Sequence, residues 1–307
     1  MADSGISLTI PAYLRSATDA GGAEQADWLS ALPAQVKQLS RRWNLALEEP
    51  FEPGGSCSWV APGTDPDGRQ LVLKVTRMHT EALHEAEGLV ILSGQGAVEL
   101  YATDHVASRD GAADTVVMLL ERCRPGTELR ALPEDEQHPV VTTLLKQVWQ
   151  TQLPIDHPFR PLTEMVDQWA DQAEAELATR PDRIDPGLAR DGLQLFRELA
   201  RNATDCTLLC TDLHAGNVLA NQREPWSLID PKPYVGDPHY DVVQHLLNCE
   251  CSVSTDPTGL IHKVAGMTGL DPARVQQWLF ARCVQETAGD VPPWRSYGAI
   301  LRQLTNP

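Results

Sequence analysis

TLLCTDLHAGNVLA, residues 207–220, sets an apolar run, a polar knot and a second apolar run side by side. The two runs read as short buried strands, with Asp212–Gly216 as the loop between them. SLIDP at 227–231 is a further short apolar run, and it too ends in an acid. Asp212, Asp230 and the amide of Asn217 are therefore expected to converge where these strands end. A carboxylate at 212 can orient a hydroxyl nucleophile or accept its proton, while Asn217 and Asp230 are hard oxygen donors suited to Mg2+. That set fits phosphoryl transfer, which asks for metal, positioning and positive charge along the phosphates rather than covalent chemistry.

The positive charge has a candidate upstream. Lys74, one of five lysines in the chain, sits in the apolar run LVLKV, where an uncompensated ammonium would be expensive. The segment that follows offers Glu81, Glu85 and Glu87 as partners. EPGGSCSWV, at 52–60, puts Gly54, Gly55 and Ser56 in a turn between strands, where backbone amides can approach phosphates or simply reverse the chain.

The surrounding texture changes along the sequence. Residues 24–44 carry apolar positions at helical spacing (Trp28, Leu29, Leu32, Val36, Leu39, Trp43), interrupted at Pro33, and predict one kinked helix or two short ones. LALEEPF, SCSWVAP, RQLVLKVTR, VELYATDHV and TVVMLLER read as strands, and HTEALHEAEGLVIL between the third and fourth as a helix. From residue 134 onward helical patterns dominate. The expected organisation is a helical extension over 1–44, a sheet-rich lobe over 45–123 that binds nucleotide, and a larger helical lobe over 124–307 with the polar loop and the substrate site. The fold class is α+β with two lobes.

Composition narrows the class of partner. A formal charge of -17 with no basic stripe argues against nucleic acid, and acidity of this kind serves solubility as readily as it serves a cationic substrate. MADSGISLTIPAYL lacks the basic start and apolar core of a secretory signal, and no run approaches a membrane span, so a soluble, cytoplasmic, monomeric protein is expected. Seven scattered cysteines without paired C-x-x-C spacing predict buried free thiols rather than a disulfide framework or a zinc site.

CTDLHAGNVL resembles the D-L-H-x-x-N catalytic loop, and WSLIDPKPYVGDPHYDV the I-D-P-x-x-x-x-G-D-P-x-x-D segment, of the aminoglycoside phosphotransferase branch of the protein-kinase-like fold. Within it the chain is similar to the streptomycin 6-phosphotransferase and hydroxyurea phosphotransferase group, from about residue 25 to the end. The resemblance implies ATP and Mg2+ as cofactors, Asp212 as catalytic aspartate, Asn217 and Asp230 as metal ligands, and Lys74 as the phosphate-binding lysine. It favours Glu85 over Glu87 as the lysine's partner, because ALHEAEGL is similar to the family's E-A-x-x-L. VVMLLERCRPGTEL resembles the segment linking the lobes, where backbone near Glu121 to Cys123 would meet adenine. His214 reads as a structural part of the loop, and Asp237 and Asp241 as residues that start and support the helix after them. IDPKP stands where a protein kinase has Asp-Phe-Gly, and no activation-loop switch is expected.

The implied reaction is transfer of the ATP γ-phosphate to a hydroxyl of an aminoglycoside, the streptidine 6-hydroxyl of streptomycin in the nearest subgroup, which would confer antibiotic resistance. Guanidinium groups call for acids, and Glu250, Glu286 and Asp290 lie where the family places its substrate wall. Hydroxyurea, needing a small neutral pocket, is the alternative acceptor, and another metabolite the next. A module that binds nucleotide or antibiotic without turnover is the alternative of another class, but all four machinery positions (Lys74, Asp212, Asn217, Asp230) are intact.

Overall fold

The computed structural model describes residues 8–20, 22–107, 114–289 and 294–305. The chain divides into two compact units, Met1–Arg124 and Pro125–Pro307.

The first unit opens with helices α1 (Ala12–Ala20) and α2 (Gly22–Arg42). Five strands follow, β1 (Ala46–Leu47), β2 (Ser58–Thr64), β3 (Gln70–Arg77), β4 (Leu100–Val106) and β5 (Thr115–Glu121), with α3 (Glu85–Leu92) between β3 and β4. They form one antiparallel sheet in the order β1-β2-β3-β5-β4. Leu71, Leu73 and Val75 of β3 alternate onto the face that meets Trp28, Leu32, Val36 and Leu39 of α2, together with Trp59, Ala61, Val117 and Leu119. Lys74, being out of phase with them, falls on the opposite face of β3. The helical stripe read from the sequence is thus part of this unit's core.

Of the two alternatives at Pro33, the single helix holds: α2 runs through the proline, with Leu32 and Val36 on either side both buried against the sheet. Two local expectations are revised. Of LALEEPF only Ala46 and Leu47 form a strand; Glu48 N–H and Phe51 N–H still reach the Pro62 and Val60 carbonyls, but Pro50 has no N–H to continue the ladder. HTEALHEAEGLVIL is not one helix, because His84 takes the left-handed conformation (φ 68°) and separates a single 3-10 turn at Thr80–Ala82 from α3.

The second unit holds α4 (Glu134–Trp149), β6 (Arg160–Pro161), α5 (Leu162–Thr179), α6 (Pro186–Arg201), β7 (Thr207–Leu209), β8 (Val218–Ala220), β9 (Trp226–Leu228) and β10 (Tyr234–Gly236). After them come α7 (Pro238–Asp241), α8 (Val243–Asn248), α9 (Glu250–Thr255), α10 (Pro257–Thr268), α11 (Pro272–Ala288) and α12 (Trp294–Thr305). Asp-Pro pairs start four of these helices: Asp185, Asp237, Asp256 and Asp271 each accept from a backbone N–H in the first turn, with proline at the first helical position. Phe196, Tyr240 and Trp278 meet edge to face or tilted at the centre of this unit, with Trp278 on α11. Two small sheets, β6-β10-β7 and the hairpin β8-β9, share their connections: 210–217 links β7 to β8, and 229–233 links β9 to β10. Among the described residues no helix is long and apolar enough to cross a membrane.

Candidate active site

The polar loop is fixed from below by one buried acid. Asp241, fully buried at the end of α7, accepts hydrogen bonds from the backbone N–H of Cys210 (3.0 Å) and Thr211 (2.7 Å) and from Trp149 Nε1 (3.0 Å). Burial pushes its carboxyl up to about 6, against the pull of those three donors. Asp241→Asn turns an acceptor into an NH2 that must face a donor. One buried N–H loses its partner, a loss of about 1–3 kcal/mol, and Tm is expected to fall by several degrees in a thermal melt.

Above this support the loop turns sharply. Thr211 lies in the left-handed region (φ 48°), with its hydroxyl donating to the Lys232 carbonyl at 2.8 Å. The Asp212 side chain is then met from two sides, by Lys232 Nζ on Oδ2 (2.8 Å) and by Gln244 Nε2 on Oδ1 (2.9 Å). His214 accepts the Gly216 N–H on Nδ1, and burial holds its imidazole below the usual range, so it is a neutral brace within the loop. A Cβ at Gly216 would come within 2.7 Å of Arg130 and 2.8 Å of His214, which leaves room there for glycine alone.

Asn217 donates its side-chain NH2 to the Asp212 carbonyl (2.9 Å), an assignment that leaves the amide oxygen as the donor atom for a cation. Val218 pairs with Leu228, and Ile229 N–H bonds to the Asn217 carbonyl (2.9 Å), so the β8-β9 hairpin holds Asn217 and the Ile229–Asp230 segment together. Asp230 is itself left-handed (φ 58°), a conformation that non-glycine residues keep where function repays it. The Asp230 carboxylate and the Asn217 amide oxygen are both hard oxygen donors, a set that fits Mg2+.

In the first unit Lys74 Nζ contacts both oxygens of Glu85, at 2.7 and 2.9 Å, with the two residues 6 % and 4 % exposed. Glu87 is half exposed, with His84 as its neighbour at 4.0 Å. Gly54 takes φ +80°, and a Cβ there would come 2.5 Å from Pro11, so packing already accounts for that glycine. Gly55 has ordinary clearance and Ser56 is exposed. Glu121 ends β5 and folds its carboxylate back onto the Glu99 N–H (3.1 Å), and Cys123 is half-buried.

The family described as aminoglycoside/hydroxyurea antibiotic resistance kinase matches residues 42–290. The chain belongs to that family. Among similar members of known name are a streptomycin 6-kinase from Streptomyces glaucescens, 30% identical over 277 residues (88% of this chain, 86% of the relative), and a hydroxyurea phosphotransferase from Kitasatospora aureofaciens, 31% identical over 278 residues (88% and 76%). Solved structures that share the fold include a thermostable aminoglycoside phosphotransferase in complex with AMP-PNP and hygromycin B, with TM-score 0.58 at 16% identity (88% of this chain, 97% of that one). A choline kinase from Streptococcus pneumoniae gives 0.56 at 14% (88% and 98%). The protein-kinase-like, α+β fold follows, and so does membership of an antibiotic-kinase family of ATP-dependent phosphotransferases.

Two residues of this family member's loop escaped the sequence reading. Lys232 lies inside the IDPKP segment and was one of only five lysines, a usable signal; Gln244 had none, since its helix position shows nothing of what lies opposite. Of the acids ascribed to a substrate wall, Glu286 and Glu250 both act on Tyr297, whose hydroxyl is pushed up to about 12 by burial and by these two carboxylates. Glu250 is exposed at the start of α9, and Glu286 is engaged by Arg282, which stacks on Trp169 at 4.4 Å; Asp290 lies outside the described residues.

Proposed function

We propose that this chain transfers the γ-phosphate of ATP to a hydroxyl of an aminoglycoside, the streptidine 6-hydroxyl of streptomycin, and thereby confers resistance. The observation that carries the reading is the Asp212 carboxylate, held by Lys232 and Gln244 on a loop that ends at Asn217, which the β8-β9 hairpin holds to the Ile229–Asp230 segment. In this reading Asp212 orients the acceptor hydroxyl and takes its proton as the new P–O bond forms and ADP leaves. Lys232, partly exposed beside that carboxylate, and Gln244 fix its orientation toward the acceptor. Lys74, its ammonium aimed by Glu85, offers positive charge to the nucleotide phosphates. Mg2+ bound by Asn217 and Asp230 would supply charge neutralisation on the phosphate oxygens.

Hydroxyurea is the second reading, favoured by the 31% identical relative and by the engagement of Glu286 with Arg282. Coupled ADP release with Mg-ATP and streptomycin, hydroxyurea or no acceptor decides between them. Streptomycin-dependent release is expected; release with hydroxyurea alone selects the second reading. Background rates with every acceptor overturn both.

A further inference from the structure

Behind the loop, on the far side of α8 from Gln244, three ligand-type side chains meet in the interior. His138 comes from α4, His245 from α8, and Cys249 from the junction of α8 and α9; they are 1%, 0% and 0% exposed. One potential ligand atom from each lies within 4.8 Å of the other two. His138 Nδ1 is 2.9 Å from His245 Nε2, which is 3.7 Å from Cys249 Sγ. Tetrahedral coordination with metal–nitrogen and metal–sulfur bonds of about 2.0 and 2.3 Å gives edges of about 3.3 and 3.6 Å. The two imidazoles need to part by a few tenths of an ångström to reach such an edge, and the His245–Cys249 pair already spans one.

We propose that His138, His245 and Cys249 bind a thiophilic divalent cation of the Zn2+ class. Two imidazoles and a thiolate are the soft, mixed donor set that such ions select over Mg2+. The outer face of His138 supports the assignment. With Nδ1 turned to the cluster, its proton belongs on Nε2, a buried atom with no hydrogen-bond partner that lies 3.9 Å from the Asp135 carboxylate. That carboxylate is itself held by Lys263 at 2.6 Å. A carboxylate behind a ligating imidazole is the usual outer support of a metal site. Binding would release the Cys249 proton to solvent as the metal–sulfur bond forms. An ion can enter through the cavity of about 490 Å3 that His138 lines with Cys251, Ser252, Asp256 and Lys263. The three protein ligands leave a fourth position for water.

The site would brace α4 against α8, the helix whose Gln244 holds Asp212. Chelator-stripped, thiol-reduced full-length protein titrated with Co2+ provides the test, and no acceptor or nucleotide is involved. One Co2+ per chain, a near-ultraviolet thiolate-to-metal band, its displacement by Zn2+ and a Tm increase of about 5 °C with excess Zn2+ are expected. Cys249→Ser should lose the band while Cys251→Ser keeps it, and His138→Gln, which retains the thiol, should weaken binding at least about tenfold. Absence of the band in the wild-type chain at excess Co2+, or its survival in Cys249→Ser, overturns the proposal.

Discussion

Asp212→Ala is expected to lower turnover by about a hundred- to ten-thousand-fold while leaving nucleotide affinity close to the parent value. The loop's own bonds explain the split. Asp212 N–H donates to the Cys210 carbonyl and its carbonyl accepts from Asn217, and both are main-chain groups that the substitution keeps. The anchors on Asp241 lie one and two residues upstream and are also untouched. Lys232 loses its partner but is partly exposed, so water takes up its charge at little cost in stability. Asn217 and Asp230 therefore stay in place, and only the contact to the acceptor hydroxyl disappears. Single-turnover rates and nucleotide titrations on the same preparation check this; a main effect on nucleotide affinity would remove Asp212 from the assigned role.

Lys74→Met is expected to reduce both stability and activity, for separable reasons. The Glu85 carboxylate stays buried while its cation is withdrawn, a change that costs about 3–5 kcal/mol, or a Tm lower by about 10 °C or more. Adding Glu85→Leu removes the stranded charge and should restore most of the lost Tm. Turnover should not return, because no ammonium meets the phosphates. Recovery of activity in the double variant would show that Lys74 serves the fold alone.

Much of the machinery was legible because it is local. Asp212 and Asn217 share one loop, Asp230 follows a short strand, and the apolar runs on either side place all three at strand ends. Lys74 was conspicuous for the same reason: within LVLKV a charge breaks an apolar pattern, and the β3 alternation turns it away from Leu73 and Val75. Asp237, before Pro238, announced a helix start through the backbone chemistry of those two residues. What proved misleading was also local. Pro33 left one helix or two open, and the run 79–92 hid the left-handed turn at His84.

The sequence by itself determined the α+β kinase-like fold, the place of the polar loop between two short strands and the identity of the buried lysine, since these show in residues a few positions apart on one strand or turn. Only the tertiary structure decided which partners those residues meet. Glu85 and Glu87, two apart on a helix, face different directions, and the phase set after His84 turns Glu85 to Lys74. Lys232 and Gln244 reach Asp212 from later segments, and His138 reaches His245 across 107 positions. Spacing encodes neighbours along one element; contacts between elements depend on how their apolar faces pack, and no short pattern records that.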